Sequence, residues 1–237
     1  MNQSEFSIPL QRAAFWSAEA LPLGRLPGFV DTATGTPDLA FIEPLMRRRL
    51  SPLGRGMLHC AGRVAAGQGS LRSVFASRHG EPARTMPILA DLAEGLETSP
   101  TQFSMNVHNA IAGIWSIVRH DRSPSTSLAA GAGTFAWGLL EAFAQHRLHG
   151  GPVLYVYGDD RLPEPLVPYE PRQAPLHALA LLLGGPEAGW LRVGRDPEAE
   201  GAEPEEPQSL HFLRALGGDG EPWVGPGGAW TWGLETP

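Results

Sequence analysis

The sequence predicts an α/β fold, and three stretches carry that reading. In the first, residues 52–66 (PLGRGMLHCAGRVAA) place apolar side chains at helical spacing, residues 70–76 (SLRSVFA) read as a short strand, and Ser77-Arg78-His79-Gly80-Glu81 reads as a turn. In the second, Ser125, Thr126, Ser127, Leu128, Ala129 and Ala130 read as a buried strand, and residues 134–147 (TFAWGLLEAFAQHR) as a helix. The small residues Gly131-Ala132-Gly133 join them in a tight turn. In the third, residues 152–157 (PVLYVY) and 175–183 (PLHALALLL) are strongly β-type and predict neighbouring antiparallel strands on either side of a proline-rich loop over 159–172.

The remaining elements follow in chain order. Residues 40–50 (AFIEPLMRRRL) have helical spacing, and residues 86–95 (MPILADLAEG) read as a short helix. After Ser99-Pro100-Thr101 comes a long apolar segment over 103–118, whose small residues allow another backbone to approach closely. Residues 196–208 (DPEAEGAEPEEPQ) are acidic and poor in apolar side chains, which predicts a solvated insertion. A short amphipathic piece over 209–216 and a tryptophan-rich end, Trp230-Thr231-Trp232, complete the pattern. With 29 glycines and 23 prolines, loops should take a large share of the chain between short regular elements.

Composition narrows the function. The 237 residues, 42% of them hydrophobic, suit one compact soluble domain. A net charge of −7 with no basic run beyond Arg47-Arg48-Arg49 argues against nucleic acid or an anionic membrane as partner. There is no basic segment followed by an apolar core at the N-terminus, and no run near the ~18 apolar residues of a membrane span, so a cytoplasmic protein is expected. A single cysteine, Cys60, excludes an internal disulfide and a cysteine-rich metal site.

Four segments together resemble the N-terminal half of the β-ketoacyl synthases, and in particular the short synthase-like proteins of aryl polyene and xanthomonadin-type pigment pathways. They are Arg47-Arg48-Arg49-Leu50-Ser51 with the helix after it, Ala76-Ser77-Arg78-His79-Gly80-Glu81, the run SPTQFSMNVHNAIAG over 99–113, and SPSTSLAAGAG over 123–133. The last follows the synthase nucleophile motif, a Pro-Ser, a strand, then Ala-Cys ahead of a helix. Counting from Pro124 puts Ala132 where the cysteine should be. In the family that cysteine sits at a helix N-terminus, where the helix dipole favours the thiolate that takes the acyl chain. A methyl group cannot do this. The family's two catalytic histidines lie in a C-terminal half that this chain is expected to lack.

The resemblance implies one half of a thiolase-like fold: a mixed, mostly five-stranded sheet with helices on its faces. Residues 1–195 would form the synthase-like domain, 196–208 the acidic loop, and 209–237 a segment packing back on it. A half alone should leave an apolar face uncovered. The implied function is that of a non-catalytic chain-length factor, the partner of a full-length ketosynthase that elongates a polyene on a phosphopantetheine-linked acyl carrier protein. No cofactor of its own is expected; a homodimer is the alternative when the chain is alone. Residues 125–130 would be the interface strand, and Gln102, Phe103, Met105 and Val107 the candidates lining or blocking the partner's acyl tunnel, unless they are ordinary core side chains.

Other residue types admit plainer readings. His108 and Asn109, in an apolar segment, are expected to hydrogen-bond buried backbone. Cys60, between Leu58 and Val64, reads as a small buried apolar residue. Arg47-Arg48-Arg49 either dock the acidic carrier protein or complement a helix dipole and pair with local carboxylates. Arg78 and Glu81 are expected to hold strands together. Two further functions stay open: an acyltransferase or hydrolase using Ser125, Ser127 or Cys60 with His108, and a self-associating scaffold without a tunnel.

Overall fold

In the computed structural model the described residues are 4–170, 175–185, 189–201, 206–218 and 220–235. They form one mixed sheet of nine strands with helices on both faces. The strands are β1 (Ser4–Ser17), β2 (Val30–Thr34), β3 (Arg72–Ala76), β4 (Ser125–Leu128), β5 (Val153–Asp159), β6 (His177–Leu183), β7 (Gly189–Asp196), β8 (Trp223–Gly225) and β9 (Gly228–Glu235). Their order is β4-β3-β5-β6-β1-β7-β9-β8, with β2 also on β1. The α/β class and the mixed sheet are as expected. The count is not five, because β1, β2, β7, β8 and β9 carry weaker sequence signals than β3 to β6.

The centre of the sheet is built from strands apolar on both sides. Val153, Tyr155 and Tyr157 of β5 and Leu179, Leu181 and Leu183 of β6 face one core, while Leu154, Val156, Ala178, Ala180 and Leu182 face the other. The two strands pair antiparallel, Val153 opposite Leu183 and Asp159 opposite His177. β1 runs antiparallel to β6 and to β7 and parallel to β2. A register shift between Leu10 and Arg12 lets Ile8 and Leu10, then Ala13 and Phe15, face the same core although their numbering changes parity.

Helices α1 (Pro44–Arg49), α2 (Pro52–Val64), α3 (Pro82–Ala93), α4 (Pro100–Ser104), α5 (Ala110–Arg119), α6 (Thr134–His149) and α7 (Gln208–Leu216) complete the fold. The segment expected over 103–118 is therefore two helices with a turn between them, and the helix expected over 86–95 begins earlier, at a proline suited to a first turn. Ser51 caps α2 by accepting from the Gly54 N–H at 2.8 Å, ahead of Pro52 in the first turn. α2 and α5 cover one face, α6 and α7 the other. Glycines bring helices against strands: a side chain on Gly56 would strike Trp16, and one on Gly138 would strike Tyr155 and Ala76.

Neither face of the sheet is left bare, contrary to the expectation for a half fold. α7 packs on β9 and α6, with Phe212 against Phe135 and Trp232. What stays open lies elsewhere. β4 ends the strand order, paired only with β3, and α3 buries only Pro82 and Ile88. Of the acidic stretch over 196–208, residues 202–205 lie outside the described set.

Candidate functional site

Strands β4, β3, β5, β1 and β2 run in one direction, so their C-terminal ends share one edge of the sheet, where α/β folds place their sites. That edge carries the Ala132 turn, the Ser77–Glu81 turn and Asp159. β4 is shorter than the strand read from sequence. Ser125 to Leu128 are paired, whereas Ala129 and Ala130 belong to the turn, Ala130 bridging to Ala132. The cause is Gly131, whose φ of +57° reverses the chain in a conformation costly for other residues.

Around Ala132 the chain satisfies itself. Thr134 Oγ1 donates to the Gly131 carbonyl at 2.6 Å and accepts from the Ala130 N–H at 2.8 Å. The Ala136 N–H, in the first turn of α6, donates to Gln208 Oε1 at 2.8 Å. Trp137, the next residue, stacks with Arg195, whose guanidinium lies 4.8 Å from its ring centre and 5.6 Å from that of Trp230. At Ala132 the turn presents a methyl group, and the Thr134 hydroxyl beside it is engaged by the Gly131 carbonyl and the Ala130 N–H.

Beside it lies a buried polar row that sequence reasoning missed. Asp159, His177 and Ser17 sit opposite one another across β5, β6 and β1. His177 Nδ1 lies 2.6 Å from the Pro175 carbonyl and Nε2 2.7 Å from Ser209 Oγ, so Nδ1 donates to the carbonyl and Nε2 accepts from the serine. The Tyr157 hydroxyl donates to Asp159 at 3.2 Å. Burial pushes the Asp159 carboxyl up to about 7 and the His177 imidazole down to about 4. His177 and Ser209 have no solvent access, so this serine and histidine hold α7 in place and present no nucleophile to a substrate. Nothing in their spacing, 32 residues apart, announces the pair.

The candidates from sequence fall on two sides. Gln102 and Phe103 are exposed, Phe103 to 59%, Val107 is exposed to 37%, and Met105 is half-buried against the α2–α5 core. Phe103 and Val107 are thus not core side chains. His108 Nε2 lies 2.9 Å from the Ser77 carbonyl. Asn109 is exposed at the start of α5 and makes no capping bond from its side chain, so it does not serve buried backbone. Ser125, Ser127, His108 and Asn109 line one open groove of about 670 Å³ between α5 and β4, with Ser125 accepting from Ser73 Oγ at 2.9 Å and His108 committed to Ser77.

Cys60 is fully buried in the α2–α5 core, and burial raises its thiol far above the ordinary range, which removes the thiolate needed for attack. Arg78 pairs with Glu170 of the proline-rich loop, and Glu81 accepts from Ser51 Oγ at 2.6 Å with Arg84 3.8 Å away. They tie loops and helices rather than strands. Burial raises the Glu81 carboxyl, offset in part by Ser51 and Arg84. Arg47, Arg48 and Arg49 form the last turn of α1, where the helix dipole favours cations. Among the described residues no cluster of three metal-ligating side chains occurs, and no helix is long and apolar enough to cross a membrane.

Comparison with known proteins adds the family. No curated protein sequence matches. Among solved structures, a chain of the ketosynthase ApeO in complex with its chain length factor ApeC from Xenorhabdus doucetiae is similar. It shares 27% identity at a TM-score of 0.80, and the match covers 96% of this chain and 99% of that one. An HMG-CoA synthase complexed with CoA (11% identity, TM-score 0.39, 64% of this chain, 34% of the other) is far less alike. PksG, an HMG-CoA synthase from Bacillus subtilis (12% identity, TM-score 0.37, 84% and 45%), is equally distant. The family description that fits is the β-ketoacyl synthase N-terminal domain, matched over residues 24–233, and it is to this family that the chain belongs.

Proposed function

We propose that this chain is a non-catalytic, chain-length-factor-like subunit that pairs with a full-length β-ketoacyl synthase in aryl polyene biosynthesis. The observation that carries the reading is the end-to-end likeness to a chain of a ketosynthase and chain length factor complex. Ala132 supports it, because the turn that would present a nucleophile presents a methyl group. The subunit's work is to complete the synthase's dimer interface and to shape the far end of its acyl tunnel. The growing chain stays on a phosphopantetheine-linked acyl carrier protein that the partner serves.

Two features suit that work. β4 has an unpaired side on which a partner strand can add, extending the sheet across the interface. Phe103 and Val107 are exposed to 59% and 37%, so their bulk is available to stop a partner's acyl chain by contact alone. The test is Phe103→Ala, with Met105→Ala beside it, in the reconstituted synthase complex. Phe103→Ala should leave the thermal melt of the free chain unchanged and lengthen the polyene read by mass spectrometry. Unchanged length in well-folded complexes of both variants rejects the gate. Ala132→Cys should give the isolated chain no turnover of malonyl-carrier protein, and measurable turnover rejects the non-catalytic reading.

A further inference from the structure

The helical arm running from Pro82 to Val107 is only loosely integrated into the fold. α3 buries two of its twelve residues and α4 none. It is held at its base, by Asn106 Nδ2 donating to the Arg84 carbonyl at 3.0 Å, by Thr85 Oγ1 donating to the Glu81 carbonyl at 3.0 Å, and by Ile88. Beyond that base it presents apolar side chains to solvent: Leu89 is 51% exposed, Leu92 57% and Leu96 53%. Leu89 and Leu92, three residues apart, share one face of α3, and Leu96 follows just beyond its end. The way α3 ends brings Leu96 back toward that face. Gly95, at φ +72°, donates to the Leu92 carbonyl at 3.1 Å and Leu96 donates to the Asp91 carbonyl at 2.8 Å, the paired bonds that close a helix and seat the following apolar residue beside its last turn.

Its charge says what kind of surface covers this row. From Thr85 to Asn109 there is no lysine or arginine, while Asp91, Glu94 and Glu97 flank the leucines. Such a face repels an acidic carrier protein, nucleic acid and anionic lipid, and complements an apolar groove with a basic rim. It is also continuous in sequence with Phe103, Val107 and α5, which lead to the groove beside β4.

We infer that the α3 arm is a second docking element for the ketosynthase subunit, inserting Leu89, Leu92 and Leu96 into an apolar, basic-rimmed groove of that partner apart from the β4 contact. The inference rests on the function proposed above. The experiment uses the full-length synthase of the source organism that co-purifies with the wild-type chain. Leu89→Gln/Leu92→Gln/Leu96→Gln changes side chains that are half or more exposed, so the free chain should melt as wild type, while the Kd for the synthase should rise at least ten-fold. Asp91→Lys/Glu94→Lys/Glu97→Lys should slow association at low salt, with the effect lost at high salt. A glutamine variant binding within two-fold of wild type overturns the arm, and an unchanged lysine variant overturns the basic rim. If the glutamine variant loses only self-association, or only carrier-protein binding, the occupant is wrong. If no synthase co-purifies with the wild-type chain, the proposed function falls and the arm's partner with it. The arm fails alone when wild type and variant bind equally.

Discussion

β5 and β4 both pair with β3, yet all seven residues of β5 are buried, whereas Ser125 of β4 is exposed and its other three residues are half-buried. The sheet is finished on one side and unfinished on the other. On the finished side the chain supplies its own continuation, β7, β9 and β8, and its own cover, α7. On the other side it stops at a short polar strand flanked by an open groove and a sparsely packed helical arm. An edge strand with free backbone groups invites another chain, and proteins that stay alone usually blunt such an edge. The finished side should therefore govern stability and the unfinished side assembly.

A matched pair of variants breaks or sharpens that division. Phe135 is wholly buried and meets Tyr155, Tyr157, Phe212 and Trp232, so Phe135→Ala should cost about 3–5 kcal/mol in a denaturant titration, much of a small domain's stability. Ser127→Pro acts on the other side. The Pro124 and Leu128 carbonyls accept from Ser73 and Ser77 of the β3 side. Because alternate residues of a strand point opposite ways, the Ser127 N–H points away from β3, and proline there spares the existing ladder. It should melt close to wild type and lose the synthase in co-purification. Equal effects of both variants on stability and assembly would erase the distinction.

The same division decided what was legible in the sequence. β5 and β6 could be read because a strand buried on both faces is a continuous apolar run, and PVLYVY and HALALLL are such runs. β1 is the longest strand and touches three others, yet its pattern was not read. The register shift between Leu10 and Arg12 breaks the two-residue alternation in its middle, and Pro9 argues against a strand. The turn at Ala132 was legible because three small residues, Gly131-Ala132-Gly133, between a strand and a helix fix it locally. The row of Asp159, His177 and Ser17, with Ser209 bonded to it, was not, since elements far apart in sequence bring it together, and no local pattern encodes that.

That row gives the next prediction, at the base of the finished side. His177 is near 4 in the fold, below an ordinary imidazole near 6.5, so between pH 4 and 6.5 the unfolded chain binds a proton the fold does not, and this group makes stability rise with pH. Asp159 is near 7, above an ordinary carboxyl near 3.8, so over the same range the fold keeps a proton the unfolded chain loses, and this group makes stability fall with pH. The two contributions oppose each other. Asp159→Asn should expose the first, with stability rising from pH 4 to 6.5 by up to about 1.4 kcal/mol per pH unit relative to wild type. His177→Gln should expose the second, stability falling from pH 4 to 7. Parallel pH profiles for wild type and both variants, by urea titration, would mean the row is solvated.

The smallest effect tests the base from which the arm springs. Ser51 Oγ accepts from the Gly54 N–H and donates to Glu81 Oε1, so one hydroxyl caps α2 and also solvates a buried carboxyl where α3 begins. Ser51→Ala loses the cap, worth about 1 kcal/mol at any pH. It also takes a hydrogen bond from Glu81 and leaves it facing Arg84 at 3.8 Å, and burial then raises that carboxyl further. Wherever a fold holds a proton that the unfolded chain has released, stability declines as pH rises, and a higher carboxyl value widens that range. The cost of Ser51→Ala should therefore be near the cap alone at pH 4 and larger at pH 8. Ser51→Asp separates the two roles, because aspartate caps a helix as well as serine does while repelling Glu81: it should match wild type at low pH and fall below Ser51→Ala at high pH. A pH-independent loss for both substitutions would show that Glu81 draws nothing from Ser51 and that the arm's base is held by Arg84 and backbone alone.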